Sequence, residues 1–598
     1  WARSPSTVIE PVLARRAGPG YRLQKRLRKH RLLVGLSATA LLGVGLALGQ
    51  AARTRHQVAE REGLARRFTE RVERLEAQAR YSALAPLHDT RPDRRALREG
   101  MRALEADIAQ AGAEAQAPGH YAVGRALLAL GDAAGARTRL EAAWNGGYPQ
   151  PRVAQALSLA LGQLYQEQLL EAEWVREPAQ REARRRELEQ RLRDPALAWL
   201  RRAQGDDSAS SHDVAARLAF YEGDFTRALS ELDARSDTTP WLHEVPLLRG
   251  DILQARAWRR LNTGDRPGAV ADLDAAREAF TRAAAIGESA PDVHHALGRL
   301  HLGALLAEVY GPGEVQPSYE RGLAALEPGF TADPDDFRFP LLRARFQRWM
   351  AEYRLTRGGE VPPLLERAFA DARAAQALAP ERPKVQLELA RLFRLSARHR
   401  QEHGEDPTAS LKEALQTLEH VAAPERDALF HTERGSLFKI QADFEAQHGR
   451  DARALLDQAL DAYQTALARD DSLVSVWINF GALYFTRAKS PQALDAEGDL
   501  TRALQALEHA RGLDAGNWVA CFQGAQVHEW RARRLHNRGQ DAEAELERAL
   551  VLYRQGAAIN GRLPQVHNGL GGALLWRAER TWDSGGDPTP ALDQAQAD

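Results

Sequence analysis

The sequence predicts an all-α protein, a solenoid of about ten long helix-turn-helix repeats preceded by a single membrane-spanning helix. Three observations predict it. Alanine, leucine, arginine and glutamate dominate the 598 residues, and all four are strong helix formers. Glycine-containing turns recur from Gly131 to Gly586, and a second series of breakers lies between them, so each period holds two helices. Near the start, eighteen uncharged residues run from Leu32 to Gly49, close to the ~20 that a helix needs to cross ~30 Å of hydrocarbon.

Length and composition bound the reading. A chain of 598 residues exceeds what one globular core supports, and 44% hydrophobic residues exclude wholesale disorder. A single cysteine, Cys521, excludes an internal disulfide and a multi-cysteine zinc site. The net charge of zero is uneven: residues 1–31 hold nine basic side chains against Glu10 alone, a balance of +8, which leaves −8 for the remainder.

That basic stretch reads as a juxtamembrane segment (1–31), followed by the span at 32–52. A buried soluble helix and a signal peptide are the rivals of the span. Eight basic residues in the twenty positions before Leu32 exceed the five in the twenty after Gly49. The positive-inside rule then places the N-terminal side in the cytoplasm and the repeats beyond the inner membrane. Gly45 and Gly49, with the row Gly35, Thr39 and Gly43, form small-residue faces that would let two such helices pair into a homodimer. Residues 53–118 read as a helical connector, with Val58, Leu64, Phe68, Val72 and Leu75 on one face.

The repeats occupy 119–598. From Gly223 onward the glycine turns follow at steps of 41–49 residues, and Gly131 precedes Gly223 by two such steps, with a degenerate turn expected near Pro178. Glycine ends one helix in the left-handed conformation and the following Asp caps the next. The second series is Pro149, Pro195, Pro240, Pro291, Pro334, Pro380, Pro424, Asp471, Gly516 and Pro564. The last unit is expected to be cut in its second helix after Pro588, with further repeats following Asp598.

Within these units the residues resemble the tetratricopeptide repeat. Trp477, Phe480-Gly481 and Tyr484 match its first-helix pattern, and Ala459, Tyr463, Ala466 and Asp471 its second. Ala503, Leu507 and Ala510 repeat the theme, as do Ala549, Tyr553 and Gly556. The 22 residues from Gly481 to Ala503, against 12 in the repeat's usual pattern, make the helix pairs about ten residues longer. The resemblance implies peptide or protein ligands on the concave face. Asn479, Arg487, Asn568 and Arg577 are the candidate groove residues, and ordinary surface polarity is the alternative reading of all four.

A second resemblance covers the whole chain in order. Glu10–Arg16 and Tyr21–Arg31, the apolar run, Leu84-Ala85-Pro86-Leu87-His88-Asp89-Thr90-Arg91-Pro92 and Pro118-Gly119-His120-Tyr121 resemble the region after the catalytic domain of myxobacterial-type transmembrane serine/threonine kinases. It implies a kinase domain upstream of Trp1, with ATP and Mg²⁺ bound there. This chain would then be its sensory or scaffolding part, the alternative being a freestanding membrane-anchored scaffold.

The chain itself carries no HRD, DFG, P-loop or GxSxG motif, so no catalytic, metal or cofactor-binding residue is assigned. His294, His295 and His301 lack metal-ligand spacing and read as solvated surface. The twelve tryptophans fall on repeat helices without flanking basic patches, so they read as packing residues and not as a nucleic-acid platform.

Overall fold

The computed structural model of the chain describes residues 31–597, apart from 176–177, 204–210, 237–239, 310–313, 491–492 and 560–563. Among the described residues the regular structure is helical throughout, with no strand. A long helix, α1 (Arg31–Leu84), and α2 (Arg91–Gln110) precede the stack. The units then pair α3 (Ala113–Ala129) with α4 (Ala133–Asn145), and α5 (Pro151–Glu173) with α6 (Pro178–Leu188) and α7 (Asp194–Ala203). Next come α8 (Ser211–Glu222) with α9 (Phe225–Ser236), α10 (Glu244–Asn262) with α11 (Arg266–Ile286), and α12 (Pro291–Val309) with α13 (Val315–Ala332). α14 (Arg338–Leu355) pairs with α15 (Pro362–Leu378), α16 (Pro383–Glu402) with α17 (Thr408–Glu419), and α18 (Ala428–Gln447) with α19 (Arg453–Arg469). The series ends with α20 (Val474–Lys489) and α21 (Ala496–Leu513), α22 (Trp518–His536) and α23 (Glu543–Ile559), and α24 (Pro564–Asp583) and α25 (Thr589–Ala597).

The breaker series sits where the turn chemistry requires it. Gly131 takes φ +81°, a backbone an L side chain resists, and Asp132 then accepts from the Gly135 amide to cap α4. Two breakers behave differently. Pro195 does not end a helix: α6 passes through a π-helical turn at Glu189–Arg193, and Pro195 becomes the second residue of α7. Pro195 has no N–H to give, and the π turn before it, closed by Asp194 N donating to Glu189 O, carries the helix past that gap. Gly498 lies inside the first turn of α21, three residues after its cap Asp495.

Within a unit, a small residue on the first helix admits a large one from the second. A Cβ at Gly481 would stand 2.6 Å from Leu507 Cγ and 3.2 Å from the Ala503 carbonyl; one at Gly435 would stand 2.6 Å from the Tyr463 ring. Ala459, Tyr463 and Ala466 are fully buried. Gly481→Val therefore overpacks the α20–α21 interface, at an expected cost of about 1–3 kcal/mol. Amide exchange in α20 and α21 should accelerate while that in α10 and α11 does not, because each unit leans on its neighbours. An unchanged α20 would sink this packing argument.

The expected membrane span at 32–52 is corrected. Among the described residues no helix is long and apolar enough to cross a membrane. Residues 32–52 are the beginning of α1, a 54-residue helix that runs on without a break through a charged stretch to Leu84. The single-pass inner-membrane localisation, with the repeats on the far side, falls with the span. Pairing of two copies through a membrane span is left without support; the side chains at positions 35 and 39, like residues 1–30, lie outside the described residues.

The C-terminal half of α1 belongs to the stack. Phe68 and Val72 are buried against Leu104 and Ile108 of α2 and Ala122 and Val123 of α3, with Leu64 and Leu75 beside them. The connector is thus the first layer of the solenoid.

Candidate binding cavity

First helices of successive units line the inner side of the superhelix, and the curvature brings distant units together. Lys384 on α16 reaches Glu167 and Glu171 on α5 at 2.9 and 3.5 Å, and Arg345 on α14 reaches Glu171 at 3.1 Å. Burial opposes the charge on Glu171, yet Lys384 and Arg345 overcome it and hold this carboxyl at about 2.

Between this closure and the end of α1 lies a cavity of about 750 Å³, walled by α1, α3, α5, α8, α10 and α12, with Arg338 of α14 at its edge. One side is closed by a strap, residues 84–94, crossing from α1 to α2. Here the chain leaves α1, bends at 85–87 and enters α2 at Arg91, and it is held through its backbone. Ser289 N donates to Ala83 O at 3.2 Å, His88 N to Ser289 Oγ at 3.0 Å, and Thr90 N to Ala332 O at 2.8 Å. Thr90 Oγ1 donates to the same carbonyl at 2.6 Å, and Arg94 pairs with Asp333 at 2.9 Å.

Ser289, His88 and Asp93 form a chain: Ser289 Oγ lies 2.8 Å from His88 Nδ1, and His88 Nε2 lies 3.1 Å from Asp93 Oδ2. The order is that of a hydrolase triad, but the environment is not. Ser289 is 1% exposed, accepts from His88 N, and lies 3.0 Å from Pro86 O. A buried oxygen engaged on three sides anchors a strap; it does not attack a substrate. The Asp93 hydrogen bond, then that of Pro86 O, raises the His88 pKa.

Deeper in, α10 carries Asp251 and, one turn on, the buried Gln254. Burial pushes the Asp251 carboxyl up to about 6, against the pull of Arg299 and Arg217 and with help from Asp292. A carboxylate that resists ionisation weakens the folded state once it must ionise. Its folded pKa exceeds the unfolded one, so this contribution is absent below about pH 4 and grows as pH rises through 6. Asp251→Asn should therefore raise stability by ~1–2 kcal/mol at pH 7 and leave it unchanged at pH 3.5. Thermal unfolding at the two pH values checks this; destabilisation at pH 7 would mean Asp251 is a required ion-pair partner.

The four groove candidates divide. Arg487 is drawn into its own unit, donating through Nε and Nη2 to Asp499 at 2.8 and 2.5 Å. The same first-helix arginine to second-helix aspartate rung recurs as Arg256–Asp272 (2.8 and 2.6 Å) and Arg343–Asp371 (2.9 and 2.6 Å). Arg577 pairs with Glu543 at 2.6 Å and Glu547 at 3.0 Å on α23. Asn479 is half-buried and Asn568 exposed. All four lie in the last three units, and none lines the N-terminal cavity.

The histidines on α12 are not solvated as expected. His294 is buried and bonded through Nε2 to Glu288 O at 2.8 Å; burial lowers its pKa and drives that of His301 to about 4. Cys521 is buried in α22. The cavity residues escaped the sequence reading because arginine, glutamine and aspartate on a helix look like ordinary surface until the superhelix turns them inward.

No family model matches the chain, and no curated protein does. Solved structures similar to it include yeast Tom70 (TM-score 0.35, 13% identity, 81% of this chain and 93% of that one). A human IFIT1 dimer with m7Gppp-AAAA gives a TM-score of 0.31 at 16% identity over 62% and 83% of the two chains. The Cut9–Hcn1 hetero-tetramer of APC/C gives 0.32 at 13% identity over 80% and 94%. At these scores the description of the fold rests on the helix pairs themselves.

Proposed function

We propose that the chain is a non-catalytic scaffold that binds a protein or peptide partner on the inner face of its solenoid, as the sensory arm of a serine/threonine kinase. The strap is the observation that supports partner binding. The inner-edge loops at 287–290 and 332–336 already hold the link between α1 and α2 through two backbone hydrogen bonds, Ser289 N to Ala83 O and Thr90 N to Ala332 O, and backbone contacts of this kind tolerate many side chains. The cavity wall mixes arginines with carboxylates, which suits a polypeptide better than a polyanion such as RNA. The kinase attachment is supported by the resemblance of residues 10–31 and 84–121 alone. A freestanding scaffold is the alternative.

Two experiments test the two parts. A synthetic peptide of residues 82–94, added to a chain with the strap weakened by His88→Ala and Thr90→Ala, should bind measurably more tightly than to the unaltered chain. No binding to either would show that the loops recognise no extended chain in trans. Reading the codons before Trp1 decides the attachment: an in-frame kinase domain supports it, and any other reading frame content removes it.

A further inference from the structure

We propose that the end of α16 carries a binding site for an imidazole-preferring divalent transition-metal ion, with His399 and His403 as its two protein ligands. The site shares no residue with the strap or the cavity beneath it, and it does not depend on a partner bound there.

Geometry makes the first half of the case. Residues four apart share one face of a helix, and here the two imidazole rings stack with centroids 4.3 Å apart and 28° between their planes. Zinc–nitrogen bonds of about 2.0–2.1 Å set two ligand nitrogens about 3 Å apart. Small rotations of the two side chains bring these rings to that bite without moving the helix. The tautomer makes the second half. His403 Nδ1 lies 2.7 Å from the His399 carbonyl oxygen, which can only accept, so Nδ1 carries the proton and the neutral ring keeps its lone pair on Nε2. Metal-bound histidines are oriented by a second bond of this kind. The ring nitrogens of His399 meet no hydrogen-bond partner among the described residues. Burial, and next His403, lower its pKa, so this ring too is neutral at pH 7, the state that ligates.

The charges around the pair balance, Glu402 and Glu405 against Arg398 and Arg400, so donor chemistry and not net charge selects the ion. Imidazole nitrogen suits Cu²⁺, Ni²⁺ and Zn²⁺, with Cu²⁺ held tightest. Position adds to this: His403 is the C-cap of α16, where the partial negative charge of the last carbonyls favours a cation. The pattern His399-x-x-Glu402-His403 is also one that zinc peptidases place on a helix. Peptidase chemistry does not follow from it. Glu402 pairs with Arg398 at 3.6 Å, and among the described residues no group of three metal-ligating side chains is assembled. Water takes the remaining coordination positions, and the site binds without catalysing.

The test uses the full chain, freed of metal with a chelator and titrated at pH 7 with Cu²⁺, Ni²⁺, Zn²⁺ or Mg²⁺. Cu²⁺ should bind tightest, and Mg²⁺, which prefers oxygen ligands, should not register. With one equivalent of Cu²⁺, the electron paramagnetic resonance spectrum should show two coupled imidazole nitrogens. His399→Ala and His403→Ala should each weaken the tightest Cu²⁺ site by about tenfold or more and leave one coupled nitrogen. His420 serves as the control. Its Nδ1 makes the same bond to the carbonyl four residues back, Gln416 O at 3.0 Å, but no second histidine stands a turn before it, so His420→Ala should change neither reading. A tightest site whose affinity is unchanged in either histidine variant overturns the proposal, as does a two-nitrogen spectrum that survives one of them. Should His399→Ala fail to fold, the exposed His403 decides alone, by the same two readings.

Discussion

Replacing Ser289 with alanine is expected to free the strap from the superhelix, with a loss of about 2–3 kcal/mol in local stability. The hydroxyl is an acceptor for His88 N at 3.0 Å and lies 3.0 Å from Pro86 O and 2.8 Å from His88 Nδ1. Alanine fills nearly the same volume, so the loss comes from polar groups left without partners and not from a cavity. Exchange of the His88 amide should rise by one to two orders of magnitude, and proteolysis should appear between 84 and 94. The helices α18–α25 should keep their protection, since no strap contact reaches them. The same segment should loosen with alkali. Asp93 and Pro86 O raise the His88 pKa, so the stabilisation is complete below the unfolded value of 6.5 and fades as pH rises through the folded one. Protection of 84–94 that is indifferent both to Ser289→Ala and to pH would show that the strap is held by helix packing alone.

The fold was legible where the signal is local. Gly131-Asp132 and Gly264-Asp265 announce a left-handed glycine and a capping aspartate within two residues, and both do so in the structure. Gly481 and Leu507 betray their contact by matching a repeat pattern of small against large. The residues that close the superhelix gave no such signal. Glu171 and Arg345 are 174 positions apart, and Thr90 and Ala332 are 242 apart; nothing in a window of one helix shows that they meet. The strap sequence 84–92 stood out as a motif, yet its role as a clasp depends on a turn of solenoid that only three dimensions display. Arg487 illustrates the reverse error: a first-helix arginine suggests a groove, while its Asp499 partner lies on the adjacent helix of its own unit. The apolar run at 32–52 suggests a span because hydropathy is read in a window, whereas the structure continues it without a break into the charged part of a 54-residue helix.

The largest effect is expected at Glu388, whose removal should destabilise the middle of the solenoid by about 3–5 kcal/mol. This carboxylate on α16 is 0% exposed and sits among three arginines: Arg348 Nε at 2.5 Å, Arg345 Nε at 3.7 Å and Arg391 Nη1 at 3.8 Å. Burial disfavours its charge, but the three guanidinium groups more than compensate and hold its pKa below the ordinary value. Glu388→Ala removes the carboxylate shared by all three cations and leaves Arg345 and Arg348 only their second partners, Glu171 and Glu352, in a largely buried site, which is costlier than losing one exposed pair. Glu388→Gln keeps one acceptor for Arg348 and the original shape, so it should fall between alanine and the unaltered chain. The sign with pH follows from the depressed pKa. The stabilisation is present above the unfolded value of 4.5 and is lost as pH falls through the folded one. The gap between Glu388→Gln and the unaltered chain should thus be widest near pH 7 and narrow below pH 4. Because Arg345 also pairs with Glu171 across the superhelix, Glu388→Ala should speed exchange in α5 as well as in α14 and α16. If denaturation and exchange show a loss confined to α16, or below 1 kcal/mol, the arginine cluster is solvated in practice and the closure of the superhelix rests on Lys384 and its two glutamates instead.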